Sequence, residues 1–174
     1  MTFTKFVNGT IGNADEINKL IKYYSSKSDA AEYSDASGNV VDAVTLSGFT
    51  CQSSDASVVG IYIDFEVKRD SGASSSYYFR IVGSAAGTFY TSPANNASDG
   101  GKSTISSSQQ VAVYNTGTTY ERVRLYIELP PDVIKGDTSY NVIISHRSNV
   151  AGATSYFRNT TVKLFFEEGF VSND

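Results

Sequence analysis

The sequence predicts an all-β protein, an antiparallel β-sandwich of jelly-roll-like kind that carries a short N-terminal α-helix. Three observations predict it. Apolar and polar residues alternate over several stretches beyond residue 40. Clusters of Gly, Pro, Asn, Asp and Ser separate those stretches. A helical apolar period occurs once, near the N terminus.

Residues 1–12 read as an extended lead-in that ends in a turn at Asn8-Gly9-Thr10. Asn13 follows as an N-cap, with Glu16 three residues on at capping-box spacing, and Asp15 and Glu16 at the positive end of the helix dipole. Ile17, Leu20, Ile21 and Tyr24 fall at i, i+3, i+4 and i+7 and make one apolar stripe, so a helix is expected from about Ala14 to about Ser26. At roughly three turns it is too short to stand alone, and its stripe needs a surface to cover it. Residues 25–39, rich in Ser, Asp and Ala, read as a connector closed by Ser37-Gly38-Asn39. The expected division is therefore an attachment segment over residues 1–39 and a β-sandwich domain over residues 40–174.

Within the second part, Ile61, Ile63, Phe65 and Val67 share one strand face, while Tyr62, Asp64, Glu66 and Lys68 share the other. Val123, Leu125, Ile127 and Leu129 repeat the pattern against Arg122, Arg124, Tyr126 and Glu128. Tyr77/Phe79/Ile81, Val111/Val113, Tyr140/Val142/Ile144 and Val162/Leu164/Phe166 predict further strands, and Val44/Leu46 and Thr88/Tyr90 are weaker candidates. About eight strands with intervening turn chemistry and no alternating helices indicate a sandwich or a jelly roll.

The composition limits what such a body can do. A chain of 174 residues, 40% hydrophobic and 18% charged, buries a core without disulfides or metals. Its net charge of −4 and scattered Lys and Arg supply no basic stripe for phosphates, so no nucleic-acid partner is expected. Cys51 is alone and forms no internal disulfide. Met1-Thr2-Phe3-Thr4-Lys5-Phe6 lacks a charged region followed by an apolar one, so no signal peptide is expected. No apolar run reaches the ~20 residues of a membrane span, and no membrane insertion is expected.

Few residues could carry chemistry. Gly100-Gly101-Lys102-Ser103-Thr104 ends like a phosphate-binding loop, but Asn96 stands where the first glycine belongs, and the segment reads as a loop. His146 and Cys51 sit in no nucleophile motif; they read as a strand-end residue and a small buried apolar one. Asp64 and Glu66 share an outward face beside Lys68 and Arg69, which reads as a solvated strand face and not as two carboxylates across a cleft. Asp35, Asn39, Asp42 and Asp99 lack the spacing of a calcium loop and read as Asx-type turns. No catalytic residue, metal or cofactor is expected. The Asn8, Asn96 and Asn159 sequons read as chance matches in an Asn/Ser/Thr-rich chain. Tyrosine is the informative aromatic, with 12 Tyr and no Trp. Tyr62, Tyr78 and Tyr126 are expected to face outward, as a ligand-stacking surface or as strand filler and subunit contact.

The segment Phe6-Val7-Asn8-Gly9-Thr10-Ile11-Gly12-Asn13-Ala14-Asp15-Glu16-Ile17-Asn18 resembles a motif near the N terminus of phage and prophage structural proteins, of the form F-x-N-G-T followed by A-D-x-(I/V)-N. Phe6, Asn8, Gly9, Thr10, Ala14, Asp15, Ile17 and Asn18 match it, and Gly12-Asn13 replaces the more usual Ala-Asp. The resemblance covers about a tenth of the chain. It implies a non-enzymatic virion structural protein: a capsid decoration protein, a collar or neck protein, or a tail-associated fibre or adhesin. The location it implies is the virion. The partners it implies are other virion proteins and copies of the chain itself, as a trimer, with Phe6, Asn8, Ile17, Leu20, Ile21 and Tyr24 as attachment residues. The stripe then buries against its equivalents about a threefold axis; the other reading has it cover its own sandwich. A lectin-like carbohydrate-binding module is the alternative function, and a host-surface glycan is the ligand either reading admits.

Overall fold

The computed structural model describes residues 23–70, 75–90, 112–114, 118–148 and 152–168. Ten strands lie among them: β1 (Tyr23–Asp29), β2 (Tyr33–Asp35), β3 (Val41–Thr50), β4 (Ala56–Arg69), β5 (Ser75–Gly83), β6 (Gly87–Tyr90), β7 (Ala112–Tyr114), β8 (Glu121–Glu128), β9 (Ser139–Ser148) and β10 (Ser155–Glu168). The first sheet has the order β1-β10-β4-β8, with β2 also on β10. The second has the order β3-β9-β5-β6, with β7 also on β5. All pairings are antiparallel.

The connectivity is that of a long hairpin rolled up on itself. From the outside of the sequence inward, β1 pairs with β10, β3 with β9, β4 with β8, and β5 with β6, and these pairs fall alternately in the first and second sheet. Lateral pairing of β10 with β4 and of β9 with β5 then completes the two sheets. Such wrapping is the jelly roll, the all-β sandwich the periodicity predicted.

The predicted apolar faces form the core between the sheets. Ile61, Ile63, Phe65 and Val67 meet Tyr77, Phe79, Ile81, Val142 and Ile144 across it. Phe65 packs its edge on Tyr77 and Phe79 at centroid distances of 5.1 and 5.8 Å. The β8–β9 connection closes one end, where Ile134 is buried and its carbonyl accepts from the Val58 amide at 2.8 Å. Gly136 in that connection has φ 107°, a conformation open to glycine.

In the first sheet two bulges decide which residues reach the core. In β10, Arg158 pairs with Glu66 but Thr161 pairs with Asp64, so β10 carries one residue more than its partner. Asn159, with φ 50°, takes the strained position there. The insertion reverses the inward parity, so that Phe157 points inward together with Val162, Leu164 and Phe166. In β4 the pairing skips Val59, and Val58 joins Ile61 on the inner face.

The N-terminal expectation needs correction where it overlaps the described residues. Tyr23–Ser26 do not end a helix; they begin β1, and Tyr33–Asp35 of the expected connector form β2. Tyr24 therefore belongs to a strand paired with Phe165, not to a helical stripe. The reason is tertiary. Tyr23 stacks on Phe166 at 5.5 Å, and its hydroxyl accepts from the Gln52 amide at 2.8 Å. Tyr24 meets Phe165 at 5.6 Å. These cross-strand contacts outweigh a weak local helical pattern. Phe6, Asn8, Ile17, Leu20 and Ile21, and the part of the expected helix that precedes Tyr23, lie outside the described residues.

Candidate functional site

The outer face of the first sheet gathers aromatic and charged side chains. Strand register sets them in rows. Lys163 of β10 lies beside Tyr62 of β4, and Tyr62 beside Tyr126 of β8. One step along, Thr161, Asp64 and Arg124 form the next row; one step the other way, Tyr24, Phe165 and Gly60 form another. Sheet pleating brings every second residue of each strand to this face, so the alternation in sequence becomes a two-dimensional grid.

Gly60 makes room for the aromatic row. A Cβ there would lie 2.6 Å from the Tyr126 hydroxyl oxygen and 3.1 Å from its Cζ. The Tyr126 ring thus crosses the bare glycine backbone and meets the Phe165 edge at 5.7 Å, while Tyr24 flanks Phe165 on the far side. Tyr24 and Tyr126 remain 55% and 59% exposed, the most exposed large apolar side chains among the described residues. The Lys163 ammonium stands 4.9 Å from the Tyr24 ring centre and 5.7 Å from that of Tyr62.

Below this row the face is an ion-pair lattice. Arg122 donates through Nε and a terminal nitrogen to the two Asp64 oxygens at 2.7 and 2.8 Å, and Arg124 Nε reaches Asp64 at 3.3 Å. Arg122, then Arg124, holds the Asp64 carboxyl below the usual carboxylate range against the effect of burial. Arg158 and Asn159 do the same for Glu66, at 2.8 and 3.0 Å. Asp64 is not the solvated residue expected; it is nearly covered by its guanidinium partners. Arg158 and Lys68 sit over the Tyr120 ring, and Lys68 also over Tyr156. The Tyr120 hydroxyl donates to Glu32, and burial, then that carboxylate, raises its pKa.

Of the three tyrosines expected to face a ligand, Tyr62 and Tyr126 share this surface and Tyr78 does not. Tyr78 lies in the second sheet and is 1% exposed. It does point away from the core, as its alternation with Tyr77 and Phe79 requires, but it is covered. Strand parity reports which face a side chain takes and says nothing of what lies on that face. Asp42, Arg80 and Ser145 lie near it in the register of that sheet, with Arg80 paired to Asp42 and the Ser145 hydroxyl donating to Asp42 at 2.6 Å. Burial raises the Asp42 carboxyl, but the Ser145 and Arg80 hydrogen bonds prevail and lower it.

Of the other candidate groups, His146 serves the interior, and Cys51 and Asp35 are half-buried. His146 continues the inward series Tyr140, Val142, Ile144 and is 1% exposed. Its ring meets Phe157 edge-on at 5.1 Å, stacks on Tyr77 at 6.3 Å, and places Nδ1 3.2 Å from the Ser155 hydroxyl. Burial pushes its pKa down to about 4, with Asp35 opposing. It is a core residue rather than the strand-end residue expected, and the parity of β9 was the signal that marked it. The Cys51 thiol donates to the Ser53 and Asp137 carbonyls at 3.2 and 3.1 Å. Asp35 accepts the Ser37 amide at 3.1 Å, the Asx-type turn expected of it. The Gly100–Thr104 segment, Asp99, Asn8 and Asn96 lie outside the described residues. Among the described residues no helix is long and apolar enough to cross a membrane.

No family model matches the chain, and no curated protein sequence matches it. Among solved structures, that of infectious bursal disease virus Gx strain is similar at 10% identity and a TM-score of 0.45, over 87% of this chain and 37% of that one. That of the Gt strain is similar at 8% identity and 0.43 over the same shares. The crystal structure of the infectious bursal disease virus VP2 subviral particle follows at 10% identity and 0.37, over 86% and 37%. The chain thus spans little more than a third of the length of the viral chains it is similar to.

Proposed function

We propose that this chain is a virion structural protein without enzymatic activity, one that attaches through its N-terminal segment and exposes the jelly roll. The observation that carries the reading is the junction between the two parts. The motif that resembles phage structural proteins ends at Asn18, close in sequence to Tyr23, where β1, an edge strand of the first sheet, begins. A jelly roll is also an architecture found in capsid and lectin domains, which supports the reading as analogy. The named acid–base groups have other occupations: His146 is sealed in the core, and Asp64 and Glu66 are held ionised by arginines. In this reading the chain is a capsid decoration, collar or tail-associated protein. It assembles with other virion proteins and with copies of itself, as a trimer.

The test is location and assembly. The chain is expected in gradient-purified particles in stoichiometric amount. A variant lacking residues 1–22 is expected to retain cooperative unfolding while losing both particle association and oligomeric mass. A full-length chain that is monomeric and missing from particles ends this reading. The second reading, a free carbohydrate-binding module, is favoured by the exposed Tyr24 and Tyr126 rings, and it predicts a monomer that binds glycans.

A further inference from the structure

We infer that the outer face of the first sheet binds an acidic glycan, with sugar rings on Tyr126 and Tyr24 and the sugar carboxylate between Lys163 and Arg124. The inference rests on the reading above that the jelly roll is the exposed part of the protein.

Three features of the face argue for it. First, cations outnumber carboxylates in its central rows, where Lys163, Arg122, Arg124 and Arg158 stand against Asp64, Glu66 and Glu128. Arg122 takes both oxygens of Asp64, leaving Arg124 one contact to it at 3.3 Å through Nε. Arg124 is 62% exposed. Lys163 touches tyrosine rings, and no carboxylate partner is found for it among the described residues. Lys163 and Tyr126 lie two strands apart, about 10 Å at ordinary strand spacing, a span that two linked sugars cover. Second, the rings are presented for stacking and are held in place. Gly60 lets Tyr126 lie across the sheet, and Phe165 braces Tyr126 and Tyr24 from between them. Tyrosine gives a pyranose an apolar face and a hydroxyl at its rim. Third, the exposed apolar surface is confined to these rings within a polar, charged field. A stable protein–protein contact needs about 800 Å² on each side with an apolar centre, which two exposed rings do not supply. The match of a cationic pair with bracketing rings selects a ligand that is both a sugar and an acid.

The experiment titrates the full-length protein with a sialylated trisaccharide and a glucuronate disaccharide, with lactose as the neutral control, by calorimetry and saturation-transfer NMR. One acidic probe is expected to bind with a dissociation constant on the order of 1 mM, with lactose at least about tenfold weaker. Tyr126→Ala and Lys163→Gln are each expected to weaken the acidic probe by about tenfold while leaving the unfolding midpoint unchanged. Added salt weakens it further, because exposed charges are screened. Equal binding of acidic and neutral probes, or no binding of either acid at about 10 mM, overturns the inference. So does a Tyr126→Ala variant that changes native mass while binding stays the same, since the face is then a protein contact. None of these results moves the particle-association test, so the two readings fail separately.

Discussion

Acidification should destabilise this protein through His146. The imidazole has an ordinary value of 6.5, and burial holds it down to about 4 in the folded chain. Between these values the unfolded chain binds a proton that the folded chain refuses. Stability is therefore fully present above about pH 6.5 and is lost as the pH falls toward 4. At 1.36 kcal/mol per unit, the whole shift is worth about 3 kcal/mol, most of which is lost between pH 7 and about pH 4.5. That is a large part of the 5–15 kcal/mol typical of a domain. The carboxylates of Asp64 and Asp137 are lowered below their ordinary 3.8, so their contributions persist until the pH falls further. The assay is urea unfolding at several pH values for the wild type and His146→Phe. The substitution keeps an aromatic ring beside Tyr77 and Phe157 but removes the titrating nitrogen. Its stability at pH 7 is expected to fall, since Ser155 loses a partner, but its slope between pH 7 and 4.5 should nearly vanish. A variant as steep as the wild type, or a wild type that is flat in this window, refutes the reasoning.

Other perturbations probe the frame of the candidate site. Phe157→Ala should cost about 3–5 kcal/mol by opening a cavity between the sheets. Deleting Asn159 should cost far less, because it removes the extra residue of β10 and regular pairing then keeps Phe157 opposite Val67 on the inner face; urea midpoints of the two variants test the contrast. Asp137→Ala removes the carboxylate that accepts the Ala85 and Ala86 amides at 2.7–3.0 Å in the β5–β6 turn, and should cost about 1.5–3 kcal/mol in the same assay. Gly60→Ala should displace the Tyr126 ring into solvent for about 1 kcal/mol or less, because the obstructed atoms are the far end of a side chain. Its signature is loss of NMR cross-peaks between Tyr126 and Phe165 with the fold retained.

Local sequence determined much of this protein. The two-residue period in Ile61–Val67, Tyr77–Ile81, Tyr140–Ile144 and Val162–Phe166 fixed which side chains form the core, because a strand alternates faces whatever its neighbours are. The same alternation turned Tyr62, Tyr126, Asp64 and Glu66 away from the core, and the pairing of β4 with β8 brought them onto one surface. Tertiary structure decided the rest. Edge strands β1 and β2 have a partner on one side and little apolar pattern, and Tyr24 fits a helical stripe as well as a strand. Only Phe165 and Phe166, more than a hundred residues away, select the strand. The inward turn of Phe157 depends on a bulge that no periodicity announces. The ionic cover over Asp64 depends on Arg122 and Arg124 lying opposite it across a strand boundary. Pleating is a local property of the backbone and can be read residue by residue. Pairing and register join distant segments, and they are settled by which set of long-range contacts buries the most surface with its polar groups satisfied.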